Sequence, residues 1–82
     1  MKIVTETGST YVVDDLKHCV KYDKVGNMVD QFFVTDMKAV PNTVSNWKQV
    51  FESPKTKIVV GKRMFIGGRD SWWISTKVVS VE

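Results

Sequence analysis

From Lys2 to Val81 the chain is a succession of short runs of Val, Ile, Thr, Tyr, Phe and Trp, cut at close intervals by Gly, Asn, Asp and Pro. β-Branched and aromatic side chains suit a pleated sheet, and period-two alternation puts every second one on a common face. A chain patterned in this way folds into several short strands and leaves little room for helix. Its 82 residues supply one core, so residues 1–82 form a single domain, without repeats or a linker. A core of this size contributes a net stability of about 3–5 kcal/mol, and a homo-oligomer or partner contact would add to that.

The pattern places most of the elements. Residues 2–6 and 10–14 flank Thr7-Gly8-Ser9, which predicts a hairpin with Ile3 and Thr5 on one face and Tyr11 and Val13 sharing another. Residues 14–22 admit two readings: a short helix capped by Asp14 or Asp15, or a strand from Cys19 to Asp23. The strand is favoured, because Gly26-Asn27 makes a good turn and Met28 to Met37 then returns with Phe32 and Val34 inward. Residues 43–52 carry Val44, Trp47 and Phe51 at helical spacing, with Asn42 or Thr43 as a cap, and Trp47, Gln49 and Phe51 at strand spacing; the balance leans to a short helix, and Ser53-Pro54 closes the element either way.

In the last third, Lys57–Val60 reads as a short strand bent at Gly61. Arg63–Ile66 and Ser71–Ile74 read as a pair of strands joined by Gly67-Gly68-Arg69-Asp70, with positive φ expected at the glycines. The inward set then changes, from Trp72 and Ile74 to Val79 and Val81 on the other side, so a bulge or bend is expected near Ser75–Lys77. The fold these elements imply is mainly β: a small SH3-like or partly open β-barrel of five to seven short strands with at most one short helix.

Several function classes lose support at this level. Structural zinc needs four Cys or His ligands, and the chain has only His18 and Cys19, adjacent residues that point to opposite faces of a strand. The same adjacency prevents a thiolate–imidazolium pair, and no nucleophile-turn motif is present, so no catalytic residue, metal or cofactor is expected. Gly67-Gly68 lacks the further glycines and the following helix of a phosphate cradle. With one cysteine no internal disulfide can form. The first twenty residues carry Lys2, Glu6, Asp14, Asp15 and Lys17 where a secretion signal would be apolar, and no apolar run approaches a membrane span. A reducing cytoplasm is the expected compartment.

Two features point to binding. The net charge of +3 is uneven: residues 1–40 sum to −1 and residues 41–82 to +4, so the C-terminal half prefers an acidic partner, protein or nucleic acid. The neighbours Trp72 and Trp73 must face opposite ways on a strand. Trp72 shares its face with Ile74 and is expected in the core, whereas Trp73 shares its face with Ser75 and Lys77 and is expected at the surface. Trp73, with Lys62, Arg63, Arg69 and Lys77 around it, is therefore the candidate binding set, since Trp and Arg carry much of the energy at interfaces. The same set could stack bases over a cationic groove, but it lacks the regular interleaving of aromatic and basic residues of a nucleic-acid platform.

The two ends of the chain also carry a likeness. Residues 2–14, Lys-Ile-Val-Thr-Glu-Thr-Gly-Ser-Thr-Tyr-Val-Val-Asp, resemble the start of many short β-rich proteins encoded by tailed phages, especially those of actinobacteria. Val60-Gly61-Lys62-Arg63-Met64 and the closing Trp73 to Glu82 are similar to the ends of such proteins, which finish in a Ser/Thr-x-Val-x-x-Ile/Val-Glu pattern. The resemblance covers about a third of the chain and transfers no functional residue. It implies a phage accessory protein with a small barrel-like fold that acts in the host cytoplasm by binding a host protein, a defence complex or the virion. The expected function is thus protein–protein binding. The alternatives are a nucleic-acid-binding barrel and a virion component.

Overall fold

A computed structural model describes all 82 residues, Met1–Glu82. Eight strands and one helix follow one another: β1 (Lys2–Thr5), β2 (Thr10–Val13), β3 (His18–Tyr22), β4 (Met28–Phe33), β5 (Asp36–Val40), α1 (Trp47–Glu52), β6 (Arg63–Gly67), β7 (Trp72–Ile74) and β8 (Val78–Val81). The fold is mainly β, as the residue pattern demands, but it has one strand more than the seven allowed for. The strands form two antiparallel sheets, ordered β4-β3-β2-β1-β8 and β5-β6-β7, that do not close into a barrel. The radius of gyration, 11.8 Å, is what a domain of this length should have, about 11.7 Å. No helix is long and apolar enough to cross a membrane.

The first hairpin forms as its sequence dictates. Gly8 takes φ +90° in the turn, and Ile3, Thr5, Tyr11 and Val13 are all buried. β3 is bounded by two turns of one design. Asp14 Oδ1 accepts hydrogen bonds from the Leu16 and His18 amides, and Asp23 Oδ1 accepts from those of Val25 and Asn27. The position three residues after each aspartate has positive φ; it is Gly26 in the second turn but Lys17, at 65°, in the first. Residues 14–22 are thus turn and strand, not helix.

The expected strand from Met28 to Met37 is in fact two strands in different sheets. Val34 N–H donates to Lys17 O in the first sheet, and the next amide, Thr35 N–H, donates to Gly67 O in the second. Alternation alone cannot reveal this corner, because it leaves the period of two intact. The second corner lies where it was expected. Ser75 N–H donates to Met64 O while Glu6 N–H takes Lys77 O, and β8 carries an extra residue opposite Val4–Thr5. Val78 is therefore buried opposite Thr5, Val81 lies on the side of Ile3 though still exposed at the strand end, and Val79 points outward, which corrects the pairing of Val79 with Val81.

β6 crosses the five-stranded sheet from edge to edge. It starts where Lys62 O accepts from Val78 N–H, beside β8, and ends where Gly67 O accepts from Thr35 N–H, beside β4. Between the sheets lie Ile3, Tyr11, Val13, Cys19, Ile58, Met64, Ile66 and Val78, flanked by Phe32, Val34, Met37 and Trp73. A second, smaller core of Val40, Val50 and Phe65 forms on the outer face of β5-β6-β7, where α1 lies. With both faces covered, β6 buries Met64, Phe65 and Ile66 in succession.

The helix covers Trp47–Glu52, within the expected segment, but its N-cap is Asn46, whose side chain accepts from Lys48 N–H. Lys57–Val60, expected as a strand, is irregular chain that buries only Ile58. Gly67 and Gly68 do not have positive φ. Their reason is close approach: a Cβ on Gly68 would overlap the carbonyl oxygen of Phe33, and one on Gly67 would crowd the Cβ of Trp72.

Candidate functional site

The two tryptophans face opposite ways, as neighbours in a strand must, but the sides are the reverse of those expected. Trp73 points between the sheets and packs on the main core. Lys21 Nζ stands 3.6 Å from the centre of its ring, a close cation–π contact. Trp72 points outward and is 55% exposed. Strand parity holds, but an apolar neighbour does not mark the core side of β7. Ile74 belongs to the small outer core, whereas polar Ser75 is buried because its Oγ accepts from Met64 N–H and donates to Thr76 O.

Trp72 sits in a fixed setting. Its ring stacks on Phe65 at 6.1 Å with 17° between planes, and Phe51 of α1 meets it edge-on at 5.4 Å. Phe51 also meets Phe65 edge-on at 5.5 Å. Each pair has a geometry that aromatic quadrupoles favour. Trp47 lies four residues before Phe51, on the same side of α1, and is also exposed. Two exposed aromatic residues, Phe51 and Trp72, are thus displayed together on the outer face of the three-stranded sheet.

The base of this cluster is a buried lysine that no local pattern singles out. Lys38 is 1% exposed; its Nζ donates to Phe51 O at 3.3 Å and to Ser53 O at 3.1 Å, and pairs with Asp36 at 3.2 Å. The same ammonium lies 5.3 Å from the centre of the Phe65 ring. It ties the C-terminal end of α1 to β5 and so holds Phe51 in place beside Trp72.

The basic residues expected around Trp73 fall into two groups. Lys62, Arg63 and Lys77 gather where β6 and β8 begin; Arg63 Nε donates to Ser75 O, and Lys62 and Lys77 are exposed. Arg69 lies in the β6–β7 loop at the other end of β6, a strand length of about 15 Å away. The structure therefore does not join these four residues and Trp73 into one surface.

The chain matches no known family model, no curated protein and no solved structure.

Chemistry at the remaining polar groups is limited. Nowhere do three His, Cys, Asp or Glu side chains converge as metal ligands would. Cys19 is buried; loss of solvent, and then the charge of Asp30, push its thiol up to about 11, so it is neutral near pH 7. His18 lies on the opposite face of β3, its ring tilted against Phe33 at 5.2 Å.

Proposed function

We propose that this chain is a protein-binding module, not an enzyme, and that it docks through Trp72 with Phe51 beside it. What carries the reading is a single observation: a half-exposed tryptophan whose ring lies against two phenylalanines. A large aromatic surface that is already ordered loses little entropy on binding, which is the usual character of an interface hot spot. Trp72 replaces Trp73 as the anchor. The likeness of the chain ends to short proteins of tailed phages supports placing it among their accessory proteins. There it would act in the host cytoplasm on a host or defence protein.

A second reading, nucleic-acid binding, is supported by the gathering of Lys62, Arg63 and Lys77 at one end of β6 with no carboxylate paired to them. One experiment separates the two. The wild-type chain and Trp72→Ala are used to capture partners from an actinobacterial host lysate, with and without nuclease. The expected outcome is a nuclease-resistant protein partner retained by wild type and lost by Trp72→Ala, whose thermal midpoint stays near that of wild type. Equal capture by both chains overturns the Trp72 reading. Capture abolished by nuclease, and by charge reversal at Lys62 and Lys77, favours nucleic acid.

A further inference from the structure

Strand β4 is the one long sheet edge that the rest of the chain leaves open over most of its length, from Met28 to Gln31. Of the other three edges, β5 is covered by the segment after α1, where Lys55 Nζ donates to Thr35 O and Thr56 Oγ1 donates to Ala39 O. At β8, Gly61 N–H donates to Val78 O and Lys62 O accepts from Val78 N–H. β7 has only three residues. β4 has six, bonded on one side to β3 and on the other to no strand. Its apolar side chains are conspicuously wet: Phe33 is 65% exposed, and Leu16 in the neighbouring turn is 80% exposed.

The edge faces a groove. Without a side chain on Gly68, the β6–β7 loop lies directly on the Phe33 carbonyl and overhangs the strand. The space between them is about 430 Å³, bounded by Gln31, Phe33 and Thr35 on one side and by Arg69, Asp70 and Ser71 on the other. Arg69 makes no ion pair, not even with Asp70; the chain's two ion pairs are Lys38–Asp36 and Lys48–Glu52. A free guanidinium beside an open strand edge suits a peptide that carries a carboxylate.

We propose that the β4 edge accepts an extended segment of a partner protein as an added strand, with Arg69 receiving a side-chain carboxylate from that segment. Val34 N–H points to Lys17 O in the sheet, so alternation aims the backbone groups of Val29, Gln31 and Phe33 outward; Gly68 covers the Phe33 carbonyl, which leaves Val29 and Gln31 to pair with an added strand. The Gln31 amide is held at 2.8 Å by Asp30 Oδ1. That carboxylate guards the edge against indiscriminate pairing, and a peptide carbonyl must displace it. Antiparallel addition is the favoured geometry, and it brings the N-terminal end of the incoming strand to Arg69. The carboxylate therefore belongs to an Asp or Glu side chain and not to a chain terminus. Neither Trp72 nor Phe51 lines this groove.

The test is selection of random dodecapeptides on the immobilised full chain, from one library with fused C-termini and one with free C-termini. Selected peptides are then mapped by amide chemical shifts. The expected result is enrichment in the fused library of β-branched residues around an Asp or Glu, with shifts confined to residues 28–33 and 69–71. Arg69→Gln should weaken these peptides roughly tenfold; changing the peptide Glu to Gln should cost the same factor and add nothing in Arg69→Gln. Trp72→Ala should bind them like wild type. Overturning results are no enrichment, enrichment only with free C-termini, shifts on the Trp72 face, or indifference to Arg69→Gln. A wild-type chain that is dimeric by light scattering, with β4 protected in the dimer, assigns the edge to a second copy and overturns it too.

Discussion

Trp73 and Trp72 differ in what each holds up. Trp73 fills the space between the sheets under Lys21, so Trp73→Ala removes a large part of the main core. The cost should be about 3 kcal/mol, the low end for a tryptophan because the ring is only partly buried. For a domain this small that leaves little folded protein near 37 °C. Trp72→Ala should cost about 1 kcal/mol or less, since over half of the residue already meets water. Chemical denaturation of both variants checks the pair, and equal losses would mean that the outer cluster bears as much of the fold as the inner one. Lys17 supplies an independent prediction. It occupies, at φ 65°, the position that Gly26 fills in the matching turn. A side chain there costs about 1–2 kcal/mol, and glycine returns about 0.5–1 kcal/mol of that as chain entropy. Lys17→Gly should therefore raise the thermal midpoint by roughly 2–8 °C, and a lowered midpoint would show that the Lys17 side chain makes a contact worth more than its strain.

At the level of elements, α1 has six residues, too few to be helical on its own. It persists because Val50 is buried against Val40 and Phe65, and because Lys38 holds the Phe51 and Ser53 carbonyls from below. Lys38→Met keeps the volume but leaves those carbonyls and the Asp36 carboxylate without their cation, so α1 should fray while the sheets survive. Hydrogen exchange checks this: amides of 47–53 should lose protection in the variant and those of β1–β3 should keep it. Unchanged exchange at 47–53 would assign the helix to its apolar contacts alone. The first hairpin and the Gly26-Asn27 turn were legible in the sequence, because turn residues are local signals, whereas spacing left residues 43–52 open between helix and strand. The burial of Lys38 was not. Nothing along the chain distinguishes a lysine whose ammonium will meet two carbonyls 13 and 15 residues away from one that will meet water. Nor was the division of residues 28–37 between two sheets legible, since it is set by Lys17 and Gly67, each distant in sequence.

Over the whole molecule, two cores explain why alternation predicted the faces of β1 and β2 correctly and those of β7 wrongly. β1 and β2 have one buried side, so their apolar residues mark it; β7 borders a core on each side, and parity then cannot say which indole is inner. The main core also holds two titrating groups that set the response to alkali. Burial, then the nearby Cys19 charge, pushes Tyr11 from its usual 10.0 up to about 12. Burial, then Asp30, pushes Cys19 from 9.0 up to about 11. Both groups are neutral when protonated, and both bind their protons more tightly in the folded chain. The stability they contribute is therefore complete below pH 9 and is lost as the unfolded chain ionises first, between about pH 9 and 11 for Cys19 and between 10 and 12 for Tyr11. Lys21 opposes this, because burial lowers its pKa against a smaller upward pull from Asp30; above its lowered value the folded chain gains stability as pH rises towards 10.5. Two groups lose and one gains, so denaturation midpoints should hold steady to about pH 9 and then fall. Tyr11→Phe should remove the upper part of the fall, and Cys19→Ala, at some cost in packing, the lower part. A profile flat to pH 12 would show that neither group is sheltered from water as the fold requires.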